Sequence, residues 1–375
     1  MKSTGYQNYG WRGRWLGWRN TMLGSPRFQR FAQSIPLLRP IARRRARALF
    51  DLVAGFTYSQ ILAACIETGL LDLLAEGPRD SASVALRLDL PIAGAERLLR
   101  GAAALGLVER LRGGWALGSD GAALRGNRGI GEMIAHHHLL YADLADPVAL
   151  LRRGGGGGAL SRHWHYAEAA GQGDSADVAG YSRLMAASQP LVAAQALDAY
   201  PLHRHRRLLD VGGGEGAFLS AVAARHDRLR LGLFDLPAVA ARATQAFESA
   251  GLGGRTDVFG GDFLRDPLPT GYDIISLIRV LHDHDDAPAF ALLRQIHAAL
   301  PPGGTVLIAE PMARTPGAEP AGDAYFGFYL LAMGSGRPRS AGEIRAMLRA
   351  AGFVASRVRR TAMPLTTRVI VARRQ

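Results

Sequence analysis

Leu281-His282-Asp283-His284-Asp285-Asp286 sets two imidazoles among three carboxylates, and Glu310 closes the apolar run Thr305 to Ala309 a little further on. Imidazole titrates closer to neutral pH than any other side chain, so this segment is suited to moving a proton. A metal site is the competing reading. Adjacent residues at a strand end diverge, however, and no His pair lies at i, i+4, so the spacing argues against a metal. A base needs a partner that orients it, and Glu310, at the tip of the neighbouring strand, is placed to hold the second nitrogen of His282. His282 and Glu310 are the candidate catalytic residues.

A second set of residues reads as a cofactor site. Arg207 to Val211 is a short apolar strand that runs into Gly212, Gly213, Gly214, Glu215 and Gly216, after which the chain turns helical. In an open parallel sheet a ligand sits where such a strand ends, and glycine lets the backbone approach it closely. The glycines do not fit the dinucleotide fingerprint. Asp210 and Glu215 would repel a pyrophosphate but favour the cationic ammonium and sulfonium of S-adenosylmethionine. The next two strands also end in acids. Asp235 is suited to a ribose diol, and Asp262 beside Phe263 to an adenine amino group and ring face. The plainer alternative is that Asp235 and Asp262 cap the turns that follow them.

In order and spacing, D-V-G-G-G-E-G, F-D-L-P, G-D-F, L-H-D-H-D-D and L-P-P-G-G-T-V-L-I-A-E resemble the class I S-adenosylmethionine-dependent O-methyltransferases of the plant phenolic and bacterial polyketide type, over roughly residues 48 to 375. The resemblance implies His282 as the base, Glu310 as the first of two flanking acids, and the cofactor contacts Asp210, Gly212, Gly214, Gly216, Asp235, Asp262 and Phe263. Three positions depart from the pattern. Pro338, in Gly336-Arg337-Pro338-Arg339-Ser340, stands where the second acid of plant members lies; His284 replaces a tryptophan; and Arg279 lies one position from the usual cationic contact to the cofactor.

The elements that must position these residues follow from periodicity. Strands near 207–211, 231–234, 256–260, 273–278 and 304–309 alternate with helices near 216–225, 237–249, 286–300 and 340–351. Two late strands, 354–361 and 367–372, leave no room for a crossover helix and should pair antiparallel. The expected fold is α/β, a Rossmann-like seven-stranded methyltransferase domain over 201–375. Upstream, helices at 58–74, 81–88 and 93–105 and a two-stranded wing around Gly113-Gly114 outline a winged helix over 48–128. Such a module reads DNA in regulators; in the family resembled it serves dimerisation. Residues 129–200 form a helical connector with a flexible glycine run, 154–158. On one face of its last helix lie Tyr181, Met185, Gln189 and Val192, which suit a channel wall or helix packing equally.

The 375 residues carry a net charge of +13, and residues 1–47 hold eleven Lys or Arg and no Asp or Glu. This arm also carries Trp11, Trp15 and Trp18 at helical spacing. Basic residues interleaved with aromatics suit anionic lipid headgroups, with nucleic acid and a solvated tail as alternatives. No run of eighteen uncharged apolar residues and no signal peptide is evident, so a cytoplasmic protein is expected. Cys65 is single and reads as core.

Tyr325, Phe326, Tyr329 and Met333, with Met185, are the candidate substrate wall. With few polar groups among them, they suggest a lipophilic acceptor. The arm and the G-R-P-R-S segment are similar to those of the hydroxyneurosporene (demethylspheroidene) O-methyltransferases of purple photosynthetic bacteria. That likeness implies a homodimer at the inner membrane that methylates the tertiary 1-hydroxyl of an acyclic carotenoid and binds no nucleic acid. A phenol or polyketide acceptor and a cofactor-sensing regulator are the alternatives.

Overall fold

The computed structural model describes residues 10–169 and 189–375. They fall into two compact units, 1–121 and 122–375. In the first, the basic arm is helical: α1 (Gly10–Leu23), α2 (Pro26–Ser34) and α3 (Arg39–Glu67). Pro26 opens α2, where its missing N–H costs nothing. Trp11, Trp15 and Trp18 are all exposed, so the tryptophan face of α1 is uncovered within the chain. The 29-residue α3 passes without a break through the expected boundary at 47–48. It stops before Gly69, which is left-handed (φ +71°), and α4 (Leu70–Ala75) follows, so the single helix expected over 58–74 is two.

By length and composition, α3 is apolar enough to cross a membrane, although no uncharged eighteen-residue run is present. It leaves Leu49, Leu52, Val53 and Phe56 uncovered, Leu52 by 82%. Its Cys65 faces inward, and burial pushes the thiol up to about 11. The wing is as expected. After α5 (Ser81–Arg87), capped by Asp80, and α6 (Ile92–Ala104), β1 (Val108–Leu111) pairs antiparallel with β2 (Gly114–Leu117). Trp115 pins the wing to α5 by donating from Nε1 to Ser81 Oγ at 3.0 Å. On α6, Arg100 is bonded to Glu96 at 2.8 Å.

In the second unit, which α7 (Ser119–Arg125) enters, α8 (Arg128–Asp143), α9 (Pro147–Arg152), α10 (Ala159–Ala169) and α11 (residues 189–199) precede a seven-stranded sheet. Its strands are β3 (Arg207–Val211), β4 (Arg230–Asp235), β5 (Thr256–Gly260), β6 (Ile274–Ile278), β7 (Thr305–Glu310), β8 (Phe353–Arg359) and β9 (Arg368–Arg374). Their order is β5-β4-β3-β6-β7-β9-β8, parallel except for β9, which inserts antiparallel between β7 and β8. The order reverses between β3 and β6, and such a reversal opens a crevice at the carboxyl ends. Helices α12 (Ala217–Arg225), α13 (Pro237–Ser249), α14 (Asp286–Ala299) and α16 (Ala341–Ala350) connect the strands. The central strands β3, β6 and β7 are buried on both faces, which is why they read as unbroken apolar runs.

The glycine run is not a flexible linker. Gly156 donates to the Leu331 carbonyl at 2.8 Å, and a Cβ at Gly158 would lie 2.0 Å from Asp143 Oδ1. Asp143 in turn caps α10 by accepting from the N–H groups of Ala159 and Leu160. The glycines are there because the chain turns in contact with its neighbours. Tyr181 and Met185 lie outside the described residues. Of the two readings for Val192, channel wall and packing, the structure shows packing: it is core.

Candidate active site

The glycine loop divides its work. A Cβ at Gly212 would press on Val280 at 2.8 Å and one at Gly216 would enter the Phe247 ring at 2.1 Å, so these two glycines serve packing. At Gly214 a Cβ would meet nothing within 4 Å, and this residue faces the open crevice. All three have positive φ. The Gly214 N–H donates to Asp235 Oδ2 at 2.7 Å, and Asp235 Oδ1 accepts from Leu236. Asp235 thereby ties the tip of β4 to the loop on β3. Burial, the largest cause, raises its pKa, against the two backbone N–H groups that lower it.

Asp210 was expected to face a cationic ligand. It lies under the loop instead, 1% exposed, and accepts from Ser276 Oγ at 2.6 Å. Burial pushes its pKa up to about 7, and Oδ2 is buried without a hydrogen-bond partner among the described residues. Glu215 pairs with Arg242 at 3.0 Å. Asp262 Oδ1 accepts from the Leu264 N–H at 2.9 Å, the turn-capping role that was the plainer alternative, while Oδ2 lies near Arg265. Phe263 meets the edge of the His284 ring at a centroid distance of 5.2 Å. His284 thus packs on the aromatic expected at the adenine. Arg279 bridges β6 and the base loop with φ +60°, and its N–H donates to Ala309.

His282 lies in a short turn of 3₁₀ helix, Leu281–Asp283, and is 3% exposed. Its partners differ from those expected. Glu310 Oε2 accepts the main-chain N–H of His282 at 3.1 Å, whereas the imidazole Nε2 lies 3.1 Å from Asp283 Oδ1. Glu310 therefore fixes the backbone of the base, and Asp283 is the carboxylate at its ring. His282 Nδ1 and Glu310 Oε1, the two atoms expected to bond, are both buried without a hydrogen-bond partner among the described residues. Burial pulls the imidazole pKa down. The Asp283 carboxylate, by charge and hydrogen bond, and then Glu310 outweigh that pull, and the net shift is upward. Phe326 stacks on the ring at 6.0 Å.

Segment 335–339 accounts for the rest of this loop, and no sequence reading singled it out as a support. Arg337 N–H donates to the His282 carbonyl at 2.9 Å and Ser335 Oγ to the Asp283 carbonyl at 3.0 Å. The Gly336 N–H donates to Asp285 Oδ1 at 3.0 Å. A Cβ on Gly336 (φ +78°) would lie 2.2 Å from the His282 oxygen, so only glycine allows this approach. Arg339 is 0% exposed and bonds the Leu281 and His284 carbonyls. The signal in the sequence was the pair of arginines flanking Pro338, in a segment noted there for its missing acid and its family likeness.

A π-helix, Pro320–Phe326, leads into α15 (Gly327–Met333) and carries the aromatic wall. π-Turns recur where a helix must re-aim side chains at a site. Tyr325 OH is 2.7 Å from His137 Nε2, and Tyr329 OH is 3.1 Å from His136 Nε2. Burial, joined by the charge of neighbouring histidines, brings His136 down to about 4, so its imidazole is neutral at pH 7. Both phenols are thus occupied by α8 histidines. Met333 is packed among Leu140, Leu150 and Leu160 as core. Among the described residues, no three His, Cys, Asp or Glu side chains are grouped to hold a metal ion.

Residues 141–354 match the O-methyltransferase domain and residues 50–122 the O-methyltransferase dimerisation domain. The chain belongs to the O-methyltransferase family. This O-methyltransferase is 48% identical over 336 residues, 88% of each chain, to the demethylspheroidene O-methyltransferase of Cereibacter sphaeroides. It is 42% identical to that of Rhodobacter capsulatus over 93% of this chain and 88% of the relative. Human N-acetylserotonin methyltransferase, solved in complex with SAM, superposes with a TM-score of 0.71 at 26% identity, over 88% of this chain and 97% of that one. The methyltransferase SibL superposes with a TM-score of 0.74 at 27% identity, over 87% and 98%. The dimerisation domain makes this methyltransferase a homodimer, and the match begins in α3, whose Leu52, Val53 and Phe56 are bare within one chain.

Proposed function

We propose that this O-methyltransferase transfers the methyl group of S-adenosylmethionine to the tertiary 1-hydroxyl of an acyclic carotenoid of the demethylspheroidene type. The observation that carries the choice of acceptor is the 48% and 42% identity to two demethylspheroidene O-methyltransferases over most of the chain. The site is consistent with it. Tyr325 and Tyr329 spend their hydroxyls on His137 and His136, so the wall beside His282 offers ring faces in place of hydrogen bonds, as a polyene end requires.

The crevice fits the cofactor: Gly214 faces open space, and Asp235 and Phe263 flank it at neighbouring strand ends. When bound, S-adenosylmethionine supplies an electrophilic methyl group on a sulfonium. His282 takes up the acceptor's proton, and Asp283, at its ring, and Glu310 stabilise the imidazolium that forms. A tertiary alcohol is a far weaker acid than a phenol, whose pKa is about 10. The proton therefore leaves only as the oxygen–methyl bond forms.

The enzyme is cytoplasmic and works at the surface of the inner membrane. Supporting this are the exposed tryptophans of α1 and the absence of any acid in residues 1–47, a composition suited to anionic headgroups. The test offers labelled S-adenosylmethionine with detergent-dispersed hydroxylated acyclic carotenoids beside a panel of water-soluble phenols. Label in the carotenoid is the expected result; label in the phenols alone discards the acceptor.

A further inference from the structure

We infer that Arg339 is a positioning residue for methyl transfer, holding the loop that carries His282 by its main-chain carbonyls. The inference rests on the reading of His282 as the base. A guanidinium presents five donors in one rigid plane. In Arg339, Nη1 donates to the Leu281 carbonyl at 2.8 Å and Nη2 to the His284 carbonyl at 2.7 Å. These carbonyls stand on either side of His282, one residue before it and two after. Nε and Nη2 also reach a single oxygen, Asp286 Oδ1, at 2.9 and 2.8 Å.

The balance of partners shows what the residue is for. A buried cation is tolerated only when it is paired and its donors are satisfied. Among the described residues the one carboxylate that Arg339 bonds, Asp286, keeps 61% of its side chain exposed and is shared with Arg337, so it is a weak counter-charge. The base loop itself supplies the remaining acceptors. Removing the guanidinium leaves the Leu281 and His284 carbonyls without these donors on both sides of the base. A lysine keeps the charge, but its point-like ammonium cannot reproduce the planar fork.

The experiment measures kcat for the full-length R339K and R339Q variants, each divided by the number of S-adenosylmethionine sites titrated in the same sample, with H282A in parallel. The acceptor is whichever compound takes label in the panel above. Normalising to cofactor sites removes any loss of folded protein, and R339Q carries no buried charge if the lysine variant fails to fold. A misplaced base costs on the order of 100-fold per ångström. We therefore expect kcat per site to fall about 10- to 100-fold in both variants, with cofactor affinity within about threefold. An unchanged kcat per site in either variant overturns the inference and leaves Arg339 a structural residue. Retained turnover in H282A removes the base itself, and with it this inference, whatever the Arg339 variants do.

Discussion

The cofactor loop and the base loop sit at neighbouring strand ends of one sheet but are held in different ways. Between Asp210 and Gly216 the partners are mostly side chains: Asp235 accepts from Gly214, Ser276 donates to Asp210, and Val280 and Phe247 fill the space that side chains at Gly212 and Gly216 would need. Between Leu281 and Asp286 they come from Glu310 and from residues 335–339, and several of these bonds end on main-chain oxygens. The first loop is shaped by its own residue types. The second is shaped by what lies against it. A cofactor that every member of a family binds can be met by a fixed local motif, whereas a proton-accepting histidine must be held within a fraction of an ångström by its surroundings.

The two loops should respond differently to substitution. The largest effect is expected at the base: His282→Ala should lower turnover about 10²- to 10⁴-fold, the usual worth of a positioned proton acceptor, and leave S-adenosylmethionine affinity within a few-fold. Calorimetry beside a labelled-methyl assay would show it. In the cofactor loop the reverse split is expected. Gly216→Ala forces a methyl group into Phe247 at a left-handed position, which costs about 1–3 kcal/mol for overpacking and about 1–2 kcal/mol for the backbone. It should lower the melting temperature and weaken cofactor binding. Gly214→Ala bears only the backbone cost, so it should melt closer to wild type while still weakening the cofactor through the added methyl in the crevice. Equal stability losses in the two alanine variants would dissolve the distinction between packing and ligand-facing glycines. The smallest effect on chemistry belongs to the arm. Removing residues 1–38 should abolish binding to anionic liposomes and leave turnover of a detergent-dispersed acceptor within about twofold; unchanged liposome binding would end the membrane reading.

How much of this was legible in advance follows the same division. The strands, the antiparallel ending and the glycine loop could be read because burial on both faces gives unbroken apolar runs and a tight turn demands glycine. Asp262 was ambiguous between ligand and cap, and in the structure Oδ1 accepts the Leu264 N–H. Asp210 precedes the first glycine, yet the pleat turns its side chain under the loop toward Ser276, a matter of strand register that residue type does not disclose. Glu310 was found, but its bond to the His282 backbone depends on the short 3₁₀ turn, which has no strong signature. Arg339 stood in a segment the sequence marked, but its role was not legible. A buried arginine looks like a surface one until its acceptors are known, and those lie more than fifty residues away. The glycine run at 154–158 misled in the opposite direction, since composition alone does not tell a linker from a packed turn.

The central claim is that His282 is the base and that Asp283, at its ring, sets the proton affinity. The measurement that tests it most directly is the pH dependence of kcat/KM for the wild type and Asp283→Asn. Only the neutral imidazole accepts a proton, so activity must fall as pH drops through the pKa of His282. Asp283 is the foremost group raising that pKa. The account predicts an acid limb above the ordinary histidine value of about 6.5 in the wild type, displaced to lower pH in the variant. A limb that stays in place in Asp283→Asn, or no acid limb in either protein, would contradict it.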